Sequence, residues 1–358
     1  ARRFHGACIL QSKLWNVMWP KRSYLRTLRR RLKAVRTPLG SVIVGLLLLL
    51  RVVPVLVVRT NKLFRCAGKR VHIAVAADVT QRKGMLALMN SILSNTACPQ
   101  LLVFHVFGQA LSSTFQGITI LSHDLPPVPV LSRFINHQYD EFQFPRGNLK
   151  ALENYVRFFL ADILKDVHSC WWLDSDIIVQ GDLNLLTQKL TIHHSTSNAI
   201  LAAFPRKRKG FTKKAFHRLQ YLGIDVHFPS ATFNAGILYL NLATWRERNL
   251  TSTLEAIAQV NARESLYPDS GSQPPLQLAV GDMFETIPST FIGRLGYKTG
   301  VNIDPAAMFL HWNGQHKPWL PTGKYVAYWE AYAIRESSNS SLSRTVQRLA
   351  QKSNDYGA

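Results

Sequence analysis

Near the middle of the chain two aspartates stand two residues apart between apolar runs, in Trp171-Trp172-Leu173-Asp174-Ser175-Asp176-Ile177-Ile178-Val179-Gln180-Gly181-Asp182-Leu183. Residues i and i+2 of an extended backbone project to the same side. Asp174 and Asp176 can therefore turn both carboxylates to one point at the end of a buried strand. Two like charges so placed are unfavourable unless a cation joins them. Carboxylate oxygens suit hard ions such as magnesium or manganese. A competing reading makes these aspartates turn formers or helix caps after a strand. Taken alone the pattern leaves both open, and the flanking sequence has to separate them.

The surrounding chain reads as strand, helix, strand. VHIAVAAD over 71–78 is a short apolar run ending at Asp78, and KGMLALMNSIL over 83–93 has helical apolar spacing. LLVFHVF (101–107) and the weaker GITIL (117–121) are further strands, so parallel βαβ units are expected. Ligands of such sheets bind at the carboxyl ends of the strands, where Asp78 and the Asp174/Asp176 pair could share one crevice. A Pro-rich connection, PPVPV (126–130), and a polar loop through Gly147 lead to KALENYVRFFLADILK (150–165). That segment predicts one amphipathic helix carrying Arg157. A helix to about Leu190 and a strand over AILAAF (199–204) follow. The run Arg206-Lys207-Arg208-Lys209 reads as a solvated loop in preference to a site for an acidic substrate.

Three segments carry a resemblance. Trp172-Leu173-Asp174-Ser175-Asp176-Ile177-Ile178-Val179-Gln180-Gly181-Asp182-Leu183 resembles the metal-binding Asp-x-Asp block of the glycogenin-like retaining glycosyltransferases of family 8. Phe233-Asn234-Ala235-Gly236 is similar to that family's Phe-Asn-Ala-Gly block. His311-Trp312-Asn313-Gly314-Gln315-His316-Lys317-Pro318-Trp319 matches its His-x-x-Gly-x-x-Lys-Pro-Trp. The resemblance implies an α/β fold: one GT-A type, Rossmann-like domain with a mixed, mostly parallel sheet.

It also implies a site. Asp174, Asp176 and His311 would hold Mn2+ or Mg2+, with Lys317 suited to a phosphate oxygen. A lone histidine is more often structural, and here the spacing to Gly314 and Lys317 favours the ligand role. Ala76, Ala77 and Asp78 match the strand end that takes the nucleotide, with Asp78 the candidate to bond uridine and a cap after the strand its alternative. Asn154-Tyr155-Val156-Arg157-Phe158 resembles the family's Asn-Tyr-x-Arg block and places Arg157 near donor sugar and diphosphate. Ser175, Asn234, Ala235, Gly236 and Gly314 complete the nucleotide-sugar set. Trp171, Trp172, Trp312 and Trp319 are read as core or pocket walls, and Asp182 as structural. The implied chemistry retains anomeric configuration, and no residue stands out as a covalent nucleophile.

Two departures accompany these matches. Where the family often has an Asp-Gln pair, this chain reads Gly271-Ser272-Gln273-Pro274-Pro275-Leu276-Gln277. Where many members have an acid after the strand at Ala202-Ala203, it reads Phe204-Pro205-Arg206. The first departure is similar to the plant galacturonosyltransferase-like subgroup.

At 358 residues there is room for one large catalytic domain and appendages. The formal net charge is +22, and much of it is local. Residues 1–38 carry eleven Lys or Arg and no Asp or Glu. No nucleic-acid fold signature stands behind this arm, and nucleic-acid binding is not expected. The next segment, 39–58, is twenty residues interrupted by one charge, Arg51, and by Pro54, which is long enough to cross a bilayer. A buried core helix and an organelle transit peptide are the alternatives. The anchor reading gives a cytosolic tail over 1–38, a signal anchor over 39–58, a short stem over 59–70, a catalytic domain over 71–335 and a polar tail over 336–358. It orients the protein as a single-pass type II membrane protein of the Golgi with a lumenal domain. Cys66, Cys98 and Cys170 would then be lumenal, with at most one disulfide among them. The sequons at Asn249 and Asn339 would then be usable.

The expected function is transfer of a hexosyl or uronosyl group, galacturonosyl among the candidates, from a UDP-sugar to a glycan acceptor in cell-wall polysaccharide synthesis. The other expectation is a catalytically silent member that binds nucleotide sugar or organises partner glycosyltransferases.

Overall fold

Strand formation follows the apolar runs. VHIAVA forms β1 (Val71–Ala76) and LVFHVF forms β2 (Leu102–Phe107), the second buried along its whole length. Burial on both faces is what the interior of a parallel sheet demands. Short β3 (Thr114–Phe115) and β4 (Ile118–His123) come next, then β5 (Ser169–Leu173) and β6 (Ile177–Val179) on either side of the aspartates. β7 (Leu201–Arg206), β8 (Thr232–Asn241), β9 (Phe284–Thr286), β10 (Ile292–Arg294) and β11 (Phe309–His311) complete the set. The structure is a computed structural model. It describes residues 66, 68–108, 111, 114–115, 118–127, 152–196, 199–206, 211–267, 271–296, 300–304 and 306–334.

Eight strands make one sheet in the order β3-β4-β2-β1-β5-β8-β7-β9. β1 is parallel to β2 and to β5, and β2 to β4. β8 runs antiparallel to both β5 and β7, and β9 is parallel to β7. The mixed, mostly parallel sheet agrees with expectation. The register between β7 and β8 shifts between Ala203 and Pro205, where proline has no N–H to give to a ladder. A second sheet, β10-β11-β6, pairs β11 antiparallel with β6 through Leu310↔Ile178 and His311↔Ile177.

Alternation along β1 separates two cores. Val71, Ile73 and Val75 pack with Met85, Leu88, Met89 and Ile92 of α1 (Arg82–Asn95). Ala74 and Ala76 face Tyr155, Phe158 and Trp245. Each fully buried side chain of this size contributes about 1.5–3 kcal/mol of transfer free energy.

The helix expected over 150–165 does not form as one piece. Leu152–Phe158 is a 3-10 segment, and Leu160–Ile163 is a single turn, α2. Residues 155–161 are buried without interruption, so this segment has no solvent face of the kind an amphipathic helix needs. Arg157 Nε also occupies the Asn154 carbonyl at 2.9 Å, and Phe159 N–H bonds three residues back to Val156 O. The helix after the aspartates, α3 (Leu183–Thr196), runs past Leu190, and β7 starts two residues after the expected Ala199.

The chain divides into two compact units, residues 1–67 and 68–358. The 39–58 span, the arm before it, the stem's residues 59–65 and the tail lie outside the described residues, as do Lys207, Arg208 and Lys209. Among the described residues no helix is long and apolar enough to cross a membrane. Cys66 and Cys98 are disulfide-bonded, while Cys170 is a buried free thiol.

Candidate active site

β5 delivers Asp174 to the carboxyl edge of the large sheet. Its N–H donates to Gly236 O at 2.8 Å, which ties the strand end to β8. Its Oδ1 accepts from Trp172 Nε1 at 2.8 Å and Arg157 Nη2 at 2.9 Å. Arg157 is buried, its guanidinium lies 4.4 Å from the Trp172 ring centroid, and its Nη1 donates to Ala235 O. One arginine therefore orients the first aspartate and the backbone of the Asn234-Ala235-Gly236 block together.

Asp176 is the buried member of the pair. The antiparallel pairing of β11 with β6 sets His311 beside it, and the Trp312 N–H closes on Asp176 O at 3.0 Å. His311 Nε2 lies 3.3 Å from Asp176 Oδ1, and Lys317 Nζ bonds Asp176 Oδ2 and, at 2.9 Å, Trp312 O. Burial alone would raise the Asp176 carboxyl. The Lys317 ammonium and His311 outweigh that and hold it well below the usual carboxylate range. Gly314, with φ +119°, turns the backbone between His311 and Lys317 in a region that favours glycine.

The donor set fits a divalent cation. One ligand atom each from Asp174, Asp176 and His311 lie within 4.8 Å of one another. Asp176 Oδ1 and His311 Nδ1 are buried with no hydrogen-bond partner among the described residues. The 3.3 Å approach of His311 Nε2 to Asp176 Oδ1 is an ion-pair separation without hydrogen-bond alignment, so it leaves that oxygen's need unmet. Buried polar atoms are rarely left in this state, and a cation would satisfy the oxygen. Two carboxylates and one imidazole suit manganese or magnesium. Gly236 provides the space: a Cβ there would sit 2.6 Å from His311 Cε1 and 2.8 Å from Asp174 Oδ2.

Around this cluster is a cleft of about 200 Å³, lined by Ala76, Arg157, Ser175, Asn234, Ala235, Gly236, Gly314 and Lys317 among the expected residues. Asn234 Oδ1 accepts the Gly236 N–H at 2.9 Å. Ser175 is buried and its hydroxyl donates to Gln81 Oε1. Ala77 and Asp78 are not part of the lining. Ala77 N–H bonds Phe107 O, and Asp78 Oδ1 accepts from Thr80 N, Thr80 Oγ1 and Gln81 N at 2.7–2.9 Å, capping the approach to α1. Asp182 is structural: its carboxylate accepts from Thr96 Oγ1, Ala97 N and Asn184 N.

Several lining residues were not among those assigned a site role from the sequence. Gln81 and Glu153 stand at the β1 end of the cleft. Burial pushes the Glu153 carboxyl up, a backbone hydrogen bond opposes this, and the charge of Asp78 adds to the rise. Ser272 and Gln273 line the cleft from the start of α7 (Gln273–Val280), a label that follows α4 (Lys213–Tyr221), α5 (Leu242–Glu247) and α6 (Leu250–Glu264). Gln273 Oε1 accepts the Ala235 N–H at 3.3 Å, and Gln277 Nε2 donates to Phe233 O at 2.7 Å. The rise over four helical residues, about 6 Å, matches two strand residues, about 6.6 Å. The spacing Gln273-x-x-x-Gln277 thus carried a legible signal. Arg206, expected in a solvated loop, is exposed, ends β7 and also lines the cleft.

Residues 72–323 match the family model Glycosyl transferase family 8. The chain belongs to glycosyl transferase family 8. Among its relatives, this family 8 chain is 30% identical over 298 residues to glycosyltransferase 8 domain-containing protein 1 of Xenopus laevis, covering 76% of this chain and 80% of that one. It is 27% identical over 309 residues to probable galacturonosyltransferase-like 2 of Arabidopsis thaliana, covering 79% and 87%. The galactosyltransferase LgtC, solved with donor and acceptor sugar analogs, superposes with TM-score 0.52 at 16% identity over 75% of this chain and 98% of that one. The glycosyltransferase GlyE of Streptococcus pneumoniae TIGR4 gives TM-score 0.51 at 18% identity, and the match covers 75% of this chain and 61% of GlyE. These likenesses establish a GT-A-like α/β fold for this family 8 glycosyltransferase.

Proposed function

We propose that the enzyme transfers a hexosyl or uronosyl group from a UDP-sugar to a glycan acceptor, retaining anomeric configuration, at the Asp174–Asp176–His311 cluster. The observation that carries this is the buried Asp176 Oδ1, without a hydrogen-bond partner among the described residues and set beside His311 and Asp174 in one cleft. Asp174, Asp176 and His311 would hold manganese or magnesium, which when bound stabilises charge on the leaving diphosphate as a Lewis acid. Lys317 has three N–H donors and uses two on Asp176 and Trp312, leaving one for a diphosphate oxygen. Arg157 holds Asp174 and the Ala235 carbonyl in fixed relation. Asn234 and Gly236 present backbone and amide groups where the sugar would lie.

The setting we propose is the lumenal side of the Golgi, reached through a type II anchor over 39–58, with a cell-wall polysaccharide as the acceptor class. Supporting it are the acid-free basic arm before the apolar span, the disulfide-bonded Cys66 and Cys98, which suit an oxidising compartment, and the likeness to the Arabidopsis relative.

The test is UDP release by the full-length chain in detergent, with a panel of UDP-sugars, with and without manganese and glycan acceptors. Release for a subset of donors is expected, abolished by EDTA and lowered about 10²-fold or more in Asp176→Ala. Release indifferent to both EDTA and Asp176→Ala would refute the assignment. UDP binding without release for any donor would make the chain a silent binder.

A further inference from the structure

We infer that Arg206, backed by Arg294, is a carboxylate-recognition site on the cleft, so that one of the two sugars handled there is acidic. This rests on the glycosyl-transfer reading above and goes further by naming the residue that reads the sugar's charge.

Chain direction places Arg206 well. β7 is antiparallel to β8, and β8 is antiparallel to β5. β7 therefore runs with β1, β2 and β5, and its last residue, Arg206, lies on the same carboxyl edge as Asp174. Its main chain is pinned there, since Arg206 O accepts from Thr232 Oγ1 at 2.7 Å. Arg294 closes in from the smaller sheet. It ends β10 in register with His311, and its Nη2 donates to Pro205 O at 3.1 Å. Burial lowers the Arg294 guanidinium's proton affinity, and the charge of Arg206 lowers it further. Two cations thus stand within electrostatic reach of each other, and one of them, Arg206, lines the cleft. Among the described residues neither has an ion-pair partner.

The other charges of the cleft do not answer this one. Arg157 is paired with Asp174 and Lys317 with Asp176. Among the described residues that line the cleft the remaining acid is Glu153, whose side chain lies against Gly108 at the end of β2. β2 and β7 are separated by β1, β5 and β8, and four strand spacings amount to roughly 19 Å. Beyond a Debye length of about 8–10 Å, that attraction is largely screened. A diphosphate drawn to the cation and Lys317 would be met there, at the Asp176 end. Arg206 is left for a further anion. A guanidinium fork matches a carboxylate in two parallel hydrogen bonds, and a neutral hexose offers no group that needs it.

The carboxylate can belong to the donor's uronosyl group or to a uronate of the acceptor, and two binding series separate these. In the first, isothermal titration of the full-length chain in manganese compares UDP-glucuronate and UDP-galacturonate with UDP-glucose and UDP-galactose. In the second, with UDP present, an oligogalacturonate is compared with a neutral oligosaccharide. One series should show an acid preference of about tenfold or more, collapsing towards unity in Arg206→Gln and partly kept in Arg206→Lys. No acid preference by the wild-type chain in either series overturns the inference even if a variant fails to fold. So does a preference that survives Arg206→Gln, or a variant that weakens UDP alone as much as the UDP-uronate, which would mark a phosphate contact. UDP-sugar binding without acid preference leaves the glycosyl-transfer reading standing. Absence of any UDP binding would sink that reading itself.

Discussion

Replacing Gly236 by alanine tests the geometry of the cluster at its tightest point. The added Cβ would lie 2.6 Å from His311 Cε1, 2.8 Å from Asp174 Oδ2 and 3.0 Å from Asn234 Oδ1, where ordinary contact begins near 3.4 Å. Something must move by about 0.8 Å, the shortfall at His311. The strand cannot easily give, because Gly236 O accepts from Asp174 N at 2.8 Å and β8 is paired on both sides. The displacement therefore falls on His311 and Asp174, whose ligand atoms tolerate only about 0.2 Å around ideal coordination distances. Overpacking of this kind costs about 1–3 kcal/mol, lowering the unfolding midpoint by roughly 2–4 °C per kcal/mol in a domain of this size. Misplacement by about 1 Å near reacting groups costs about 10²-fold in rate. Manganese affinity by titration, UDP release and thermal unfolding should all be measured on Gly236→Ala and on a control, Gly223→Ala. Gly223 has φ +72° and nothing within 4 Å of its Cβ. There alanine bears only left-handed backbone strain, about 1–2 kcal/mol, with metal binding intact. Wild-type manganese affinity in Gly236→Ala, with UDP release within about threefold, would refute the packing argument.

Gln277→Ala should act on the site from a distance, because it removes the bond that holds Phe233 O and leaves that buried carbonyl unpaired, costing about 1–3 kcal/mol; kinetics and unfolding should show lower stability and a lower rate together, and a change in neither would overturn the role given to α7. A separate effect is expected on acidification. His72, His105 and His123 form a chain with ring nitrogens 2.9 Å apart at each step. Burial, and then the charges of His72 and His123, hold His105 down at about 3. With the folded value below the unfolded one, the unfolded chain binds the extra proton. This contribution is complete above about pH 6.5 and is lost as pH falls towards 3, reaching about 2 kcal/mol at pH 5. Urea unfolding at pH 8 and pH 5 should show a smaller loss in His105→Phe than in wild type, and equal losses would contradict the assignment.

Much of this molecule is legible in its local chemistry. The apolar runs within 71–78 and 101–107 read as strands, and the Asp-Ser-Asp triplet, taken with its flanks, pointed to a cation site. What misled was equally local. The 150–165 segment has helical spacing, yet it is enclosed along its buried stretch, and Arg157 takes a carbonyl that a continuous helix would use. Arg206 belongs by composition to a basic run, and only the direction of β7 turns it to the cleft.

By itself, the sequence determined which residues were chemically able to hold a cation and which stretches had to be buried, because those depend on side-chain type and on periods of two or 3.6 residues. Tertiary structure decided which of them meet. His311 lies far along the chain from Asp176, and the pairing of β11 with β6 brings them to 3.3 Å. A slip of one residue in that pairing would turn His311 to the opposite face. Gln273 and Gln277 grip β8 only because α7 packs along it, and Asp78, which the resemblance assigns to the nucleotide, is bonded by Thr80 and Gln81. Register and strand direction are properties of the assembled sheet, since they are set by pairings between segments distant in sequence.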